Sequence, residues 1–196
     1  MRRFPHLVMV CGLVTAFFAF GETKSQAGLL PVKTTIASES GNFRWTYNVV
    51  LTSDSTLKSG DFFTIYDFDG MITGSEMSFD PNFSFSTSMT GNTPSRTVPM
   101  DDPSKSNLTW TYNGPDVSGQ TSIGNFSATS IYSDAMDGSF TARTHRQVDG
   151  KVDSNITDTE VPTGDTPTIP EPATLALMGI GLPLVGGVRA LRRKVK

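Results

Sequence analysis

Cysteine is nearly missing. The 196-residue chain has one, Cys11, and it lies inside an apolar N-terminal run. With that run removed, the chain has no disulfide, no thiol nucleophile and no Cys-ligated zinc. Histidine is almost as scarce: His6 precedes the same run, and His145 stands alone in the middle. A Ser-His-Asp triad would have to use His145. It sits in "ARTHRQ" between Arg143 and Arg146, no serine carries a nucleophile-elbow pattern, and an exposed strand position accounts for it. Helical periodicity is missing between residues 28 and 165. Cations are few there too: eight Lys and Arg stand against seventeen Asp and Glu. That balance argues against nucleic acid as a partner.

The two ends are different. Arg2 and Arg3 precede an apolar run over residues 7–20, which reads as a secretory signal over residues 1–27. Ser25 and Ala27 supply the small residues for cleavage between Ala27 and Gly28. The alternative is an uncleaved anchor, for which the run is short. Met9 and Val10 before Cys11 do not fit a lipoprotein site. Near the other end, residues 157–169 are spaced by prolines and predict an extended linker. Residues 173–188 then carry no charge. As a helix they cover about 24 Å against a hydrocarbon core of about 30 Å. Snorkelling arginines extend the predicted single transmembrane helix to about 173–191. Four glycines and Pro183 weaken it, and Arg189, Arg192, Arg193 and Lys194 follow as a basic stop. A marginal span before a basic end has the logic of a removable sorting signal.

Between the ends, strand signals dominate. "FRWTYNVVLT" places Phe43, Trp45, Tyr47, Val49 and Leu51 on one face. "DFFTIY", "MSFDPNFSFS", "NLTWTY", "NFSATSIYS", "FTARTHRQV" and "KVDSNIT" are further short runs between Gly, Asn, Asp and Pro turns. Pro81 bends the third of these, and residues 36–43 and 92–107 read as loops. Residues 28–156 are therefore expected to form an all-β antiparallel β-sandwich, jelly-roll or immunoglobulin-like. Trp45, Tyr47, Trp110 and Tyr112 fall on apolar faces, so core packing is favoured over stacking on sugar rings. Trp45-Thr46-Tyr47-Asn48 recurs as Trp110-Thr111-Tyr112-Asn113, and each is followed by a Gly-x-Phe strand. Two matched units, one per half of a sandwich, would read this way; so would the ordinary recurrence of Thr and aromatics in β proteins.

Acidic chemistry is weighed next. Glu39, Glu76 and Glu160 are the central glutamates, and a glycosidase needs only two carboxyls at the right separation. Asp67, Asp69 and Gly70 open like a calcium loop but lack its later ligands, so a turn is favoured. A looser calcium site with Asp101 and Asp102 stays open; no other cofactor is expected. Asn82, Asn107, Asn125 and Asn155 begin Asn-x-Ser/Thr triplets, which a chain this rich in those residues produces by chance.

The tail "PEPATLALMGIGLPLVGGVRALRRK" resembles the PEP-CTERM sorting domain of Gram-negative bacteria. Within residues 170–196, Pro170, Glu171 and Pro172 match its signature triplet, the apolar run matches its span, and the basic cluster matches its end. The resemblance implies export, a transient stay in the inner membrane, and cutting by an exosortase. Delivery to the cell surface or extracellular matrix, often alongside exopolysaccharide, is implied by the same likeness. The expected function is a non-catalytic surface protein, with a carbohydrate-binding module or a carboxylate-based hydrolase as alternatives.

Overall fold

The computed structural model describes residues 28–165, all strand, turn and loop. The signal segment 1–27, the sorting motif and the span at 173–191 lie outside the described residues. Strands β1 (Leu29–Glu39), β2 (Asn42–Leu51), β3 (Ser55–Leu57) and β4 (Phe62–Phe68) come first. They are followed by β5 (Met77–Ser78), β6 (Phe83–Ser88), β7 (Ser106–Tyr112) and β8 (Val117–Ser118). Strands β9 (Thr121–Ser130), β10 (Ala135–Arg146) and β11 (Val152–Pro162) complete the order.

Every pairing is antiparallel, in two sheets. The first runs β1-β2-β9-β5. The second runs β6-β7-β4-β10, with β11 along the far edge of β10. The long strand β10 exceeds its neighbour: β4 pairs with residues 140–143 and β3 with residues 145 and 146. Strand β3 in turn carries β8.

The alternation of β2 became burial as expected. Trp45, Tyr47, Val49 and Leu51 are fully buried, as are Trp110 and Leu108 on β7. Phe63 on β4 is the centre of the packing. It stacks on Trp110 at 5.3 Å and on Phe140 at 5.3 Å within its own sheet. From the first sheet Phe126 meets it edge-on at 4.8 Å. A second contact between the sheets joins Trp45 edge-on to Phe68 at 6.5 Å. Small residues make room for the large ones: Ala128 lies opposite Trp45, and Ala142 opposite Phe63.

Three stretches differ from expectation. Residues 36–39, read as loop, belong to β1, which pairs with β2 along its length and turns at Ser40-Gly41. Both turn residues have positive φ, 51° and 84°, the geometry of a two-residue hairpin turn that glycine favours. Residues 157–162, read as the start of the linker, are the second half of β11 and pair with residues 135–140. Val161 there is fully buried, and Pro162 sits at the strand end, where a missing N–H does no harm. Finally, "MSFDPNFSFS", read from the alternation of Phe79, Phe83 and Phe85 as one run bent at Pro81, is divided between the two sheets. The bend at Pro81 sends β5 to the first sheet and β6 to the second.

The two echoing units interlock. The Trp45 strand β2 pairs with β9, which follows Trp110 in sequence; the Trp110 strand β7 pairs with β4, which follows Trp45. Each unit thus gives one strand to each sheet, not one half of the sandwich.

The Phe63→Ala variant is expected to lose about 3–5 kcal/mol of unfolding free energy. Phe79→Ala should change it by less than about 0.5 kcal/mol, because its ring is 85% exposed. Urea denaturation of both variants checks the pair of values.

Candidate functional site

The outer faces of the two sheets have different fates. That of the second sheet is covered by the long connection between β6 and β7. Thr64 donates to the Asn92 carbonyl at 3.0 Å, and Tyr66 Oη lies 2.9 Å from Thr93 Oγ1. The Met100 N–H reaches Ser139 Oγ at 3.1 Å. Gly91 is pressed so closely to Tyr66 that a Cβ would sit 2.1 Å from its ring.

Among the described residues the outer face of the first sheet is open along Lys33, Thr35 and Asn125, while Ser127 and Thr129 on the same face are buried under Arg44 and Ser75. Cross-strand register aligns Lys33, Asn48 and Asn125, and the Phe79 N–H donates to the Asn125 carbonyl at 3.1 Å, which continues the row. The next row is Thr35, Thr46, Ser127 and Met77. Lys33, Thr35, Thr46, Asn48 and Asn125 line a shallow depression of about 260 Å³. Asn48 Nδ2 donates to Asn125 Oδ1 at 2.9 Å. Each amide keeps one hydrogen-bonding atom for another partner. Lys33 is exposed at one end of the row, and Phe79 and Met77 are exposed at the other. Arg44 closes the face: it clasps Glu39, and its Nη1 donates to the Ser75 carbonyl at 3.0 Å and to Ser127 Oγ at 3.1 Å. The bond between them raises the Arg44 guanidinium pKa and lowers that of Glu39. Such a surface offers amide and hydroxyl groups in a plane with an apolar rim.

The second cluster gathers around His145. Its Nδ1 lies 3.0 Å from Asp61 Oδ2, which also accepts the Lys58 N–H at 2.8 Å. Asp61 is fully buried; its Oδ1 has no hydrogen bond among the described residues, with Arg143 Nε at 3.7 Å. Burial pushes its carboxyl pKa up, against the pull of Lys58, His145 and Arg143. His145 is thus half-buried and partnered, not simply exposed on a strand. Lys58 N and His145 accommodate Asp61 as a structural carboxylate that closes the turn before β4.

Asp67, Asp101 and Asp102 do meet, and each has at least one carboxylate oxygen engaged by the fold. Asp67 Oδ1 accepts the Asp102 N–H at 2.7 Å, Asp101 Oδ1 accepts from Asn107 at 2.7 Å, and Asp101 Oδ2 accepts the Gly91 N–H at 3.1 Å. Asp69 Oδ2 accepts the Gly164 N–H at 3.0 Å. Among the described residues no three His, Cys, Asp or Glu are grouped to hold a metal ion. Glu39 is held by Arg44, Glu76 precedes β5, and Glu160 is exposed on β11. Of the sites expected from sequence, Pro170, Glu171, Pro172, Arg189, Arg192, Arg193, Lys194 and Ala27 lie outside the described residues. Gly28 is the first described residue and is buried.

A pH test follows from Asp61. Its raised pKa means the folded state binds the proton more tightly than the unfolded chain does. The stability it adds is fullest below its ordinary value of 3.8 and falls as pH rises through the folded value. The stability gap between wild type and Asp61→Asn is therefore expected to narrow as pH rises. Melting temperatures across pH check this; a widening gap contradicts it.

No curated protein matches the chain. Among solved structures, the chain is similar to the cohesin module from a Clostridium perfringens family 33 glycoside hydrolase. The identity is 15%, with a TM-score of 0.40, covering 70% of this chain and 97% of that one. Residues 168–194 match the family model of the PEP-CTERM protein-sorting motif. The tail of this chain, beyond its two-sheet β domain, carries a PEP-CTERM protein-sorting motif.

Proposed function

We propose that the chain is an exported, non-catalytic bacterial surface protein, sorted by an exosortase, whose β domain holds extracellular polysaccharide on the open face of its first sheet. The sorting half rests on the match over residues 168–194. In this reading Pro170-Glu171-Pro172 marks the cut, and residues 173–191 span the inner membrane of a Gram-negative cell until the cut is made. The basic cluster from Arg189 to Lys194 keeps the end inside.

The binding half rests on one observation, the row Lys33–Asn48–Asn125 across β1, β2 and β9, continued by Phe79 just after β5. Sugars present hydroxyls around apolar C–H faces. An amide pair with unused donor and acceptor atoms suits the first, and an exposed aromatic ring suits the second. The acidic balance of residues 28–165 disfavours a densely anionic polymer. The non-catalytic reading is supported by how the carboxylates are used, since Asp61, Asp67, Asp69, Asp101 and Glu39 serve backbone amides or side chains of the fold.

Affinity electrophoresis in gels containing the host's own exopolysaccharide tests the binding. The wild-type protein is expected to be retarded. Phe79→Ala and the Asn48→Ala/Asn125→Ala pair should each weaken binding about tenfold, equivalent to about 1.4 kcal/mol. Equal retardation of wild type and variants, or none for wild type, would remove this face from the proposal.

A further inference from the structure

The backbone nitrogen of Gly28 lies in a polar pocket with more acceptors than one amide can use. Ser55 Oγ is 2.8 Å from it and Thr52 Oγ1 is 3.0 Å from it. The two hydroxyls are themselves 2.9 Å apart, and the Gly28 carbonyl accepts the Thr52 N–H at 3.0 Å. On the other side of Gly28 stand Asn155 and Thr144. A Cβ on residue 28 would lie 2.1 Å from Asn155 Oδ1 and 3.5 Å from Thr144 Oγ1. With φ at 124° as well, no residue but glycine fits.

Asn155 and Thr144 are 7% and 0% exposed, yet Asn155 Oδ1 and Thr144 Oγ1 have no hydrogen-bond partner among the described residues. Asn155 Nδ2 is committed to the Leu29 carbonyl at 2.9 Å, which fixes the amide with its oxygen toward Gly28. Leaving a buried acceptor unmade is costly. A peptide N–H carries one proton and is already shared between two hydroxyls. An α-ammonium carries three.

We propose that this pocket is the receptor for the α-amino group of Gly28, created when the Ala27–Gly28 bond is hydrolysed during export. Water adds across the bond. Ala27 leaves with the new carboxylate on the departing leader, and Gly28 keeps the amine, which takes the proton the carboxyl gives up. The ammonium then donates to Ser55 Oγ and Thr52 Oγ1, and its charge is placed on the glycine that the two orphaned oxygens flank from the other side. Capture of a chain terminus by a cradle of acceptors is a known recognition mode; here the terminus is the protein's own. Cleavage thereby tightens the joint between β1 and the Thr52–Ser55 segment that follows β2. This rests on the export reading, since it needs the leader to be cut.

The experiment compares two full-length forms in detergent. One is the leader-processed chain, residues 28–196; the other is the same chain with Ala27 in front. The native exported protein is sequenced from its N-terminus alongside. Native protein is expected to begin at Gly28. The Gly28 α-amine should react with an acylating reagent at least about tenfold more slowly in the folded chain than in urea. The amine of the Ala27-extended form should be unprotected, and its melting temperature lower. Equal acylation rates and equal melting temperatures, with native protein beginning at Gly28, would overturn the pocket while leaving export intact. A native terminus elsewhere would overturn the cut itself, and with it the amine assigned to the pocket.

Discussion

The fold hangs on the ring of Phe63. A domain with no cysteine between residues 28 and 165 has no covalent staple, so its two sheets are joined by side-chain packing. Phe63 stacks on Trp110 and Phe140 in its own sheet and meets Phe126 of the other edge-on. Aromatic pairs add to the burial of their area, and they also fix geometry. With those rings set, β9 is placed against β4, and through β9 the register of β2 and β1 follows. The rows of the open face are thus set by contacts on the opposite side of the same strands.

That dependence explains why one face is closed and the other is not. Thr64, Tyr66, Thr109 and Thr141 on the outer side of the second sheet carry hydroxyls that need partners when covered. The connection before β7 supplies Thr64 and Tyr66 through Asn92 and Thr93, and Thr64 and Tyr66 in turn partner Thr109 and Thr141. On the first sheet no such strap among the described residues crosses Asn48 and Asn125, whose amides are satisfied in part by each other. The proposed binding of a hydrated polymer uses this polar face and the exposed Phe79 at its edge.

Legibility in the sequence followed burial. Strands β2 and β7 could be read because Trp45, Tyr47, Leu108 and Trp110 alternate with Thr and Asn, and the structure buries them. Strand β1 could not, because Val32, Lys33, Thr35 and Ile36 are exposed and carry no period. Its conformation comes from pairing with β2. The second half of β11 was hidden for the same reason: Thr, Asp, Glu and Pro resemble a linker until β10 lies beside them. The candidate face was less legible still. Asn48 and Asn125 stand 77 positions apart, and Asp61 and His145 stand 84 apart. Neither pair leaves a local pattern. The small residues before Gly28 predict a cut there, but its pocket of distant acceptors left no local mark.

In the proposed account, the domain, the tail motif and the buried Gly28 belong to a protein trimmed at both ends. Intact mass of the native protein, from cells with and without the exosortase, tests this most directly. With the enzyme, the mass should correspond to a chain running from Gly28 to the neighbourhood of Pro170-Glu171-Pro172, recovered outside the cell. Without it, the tail should remain and the protein should stay with the inner membrane. A native form that keeps Lys196 in the presence of the enzyme would contradict the account.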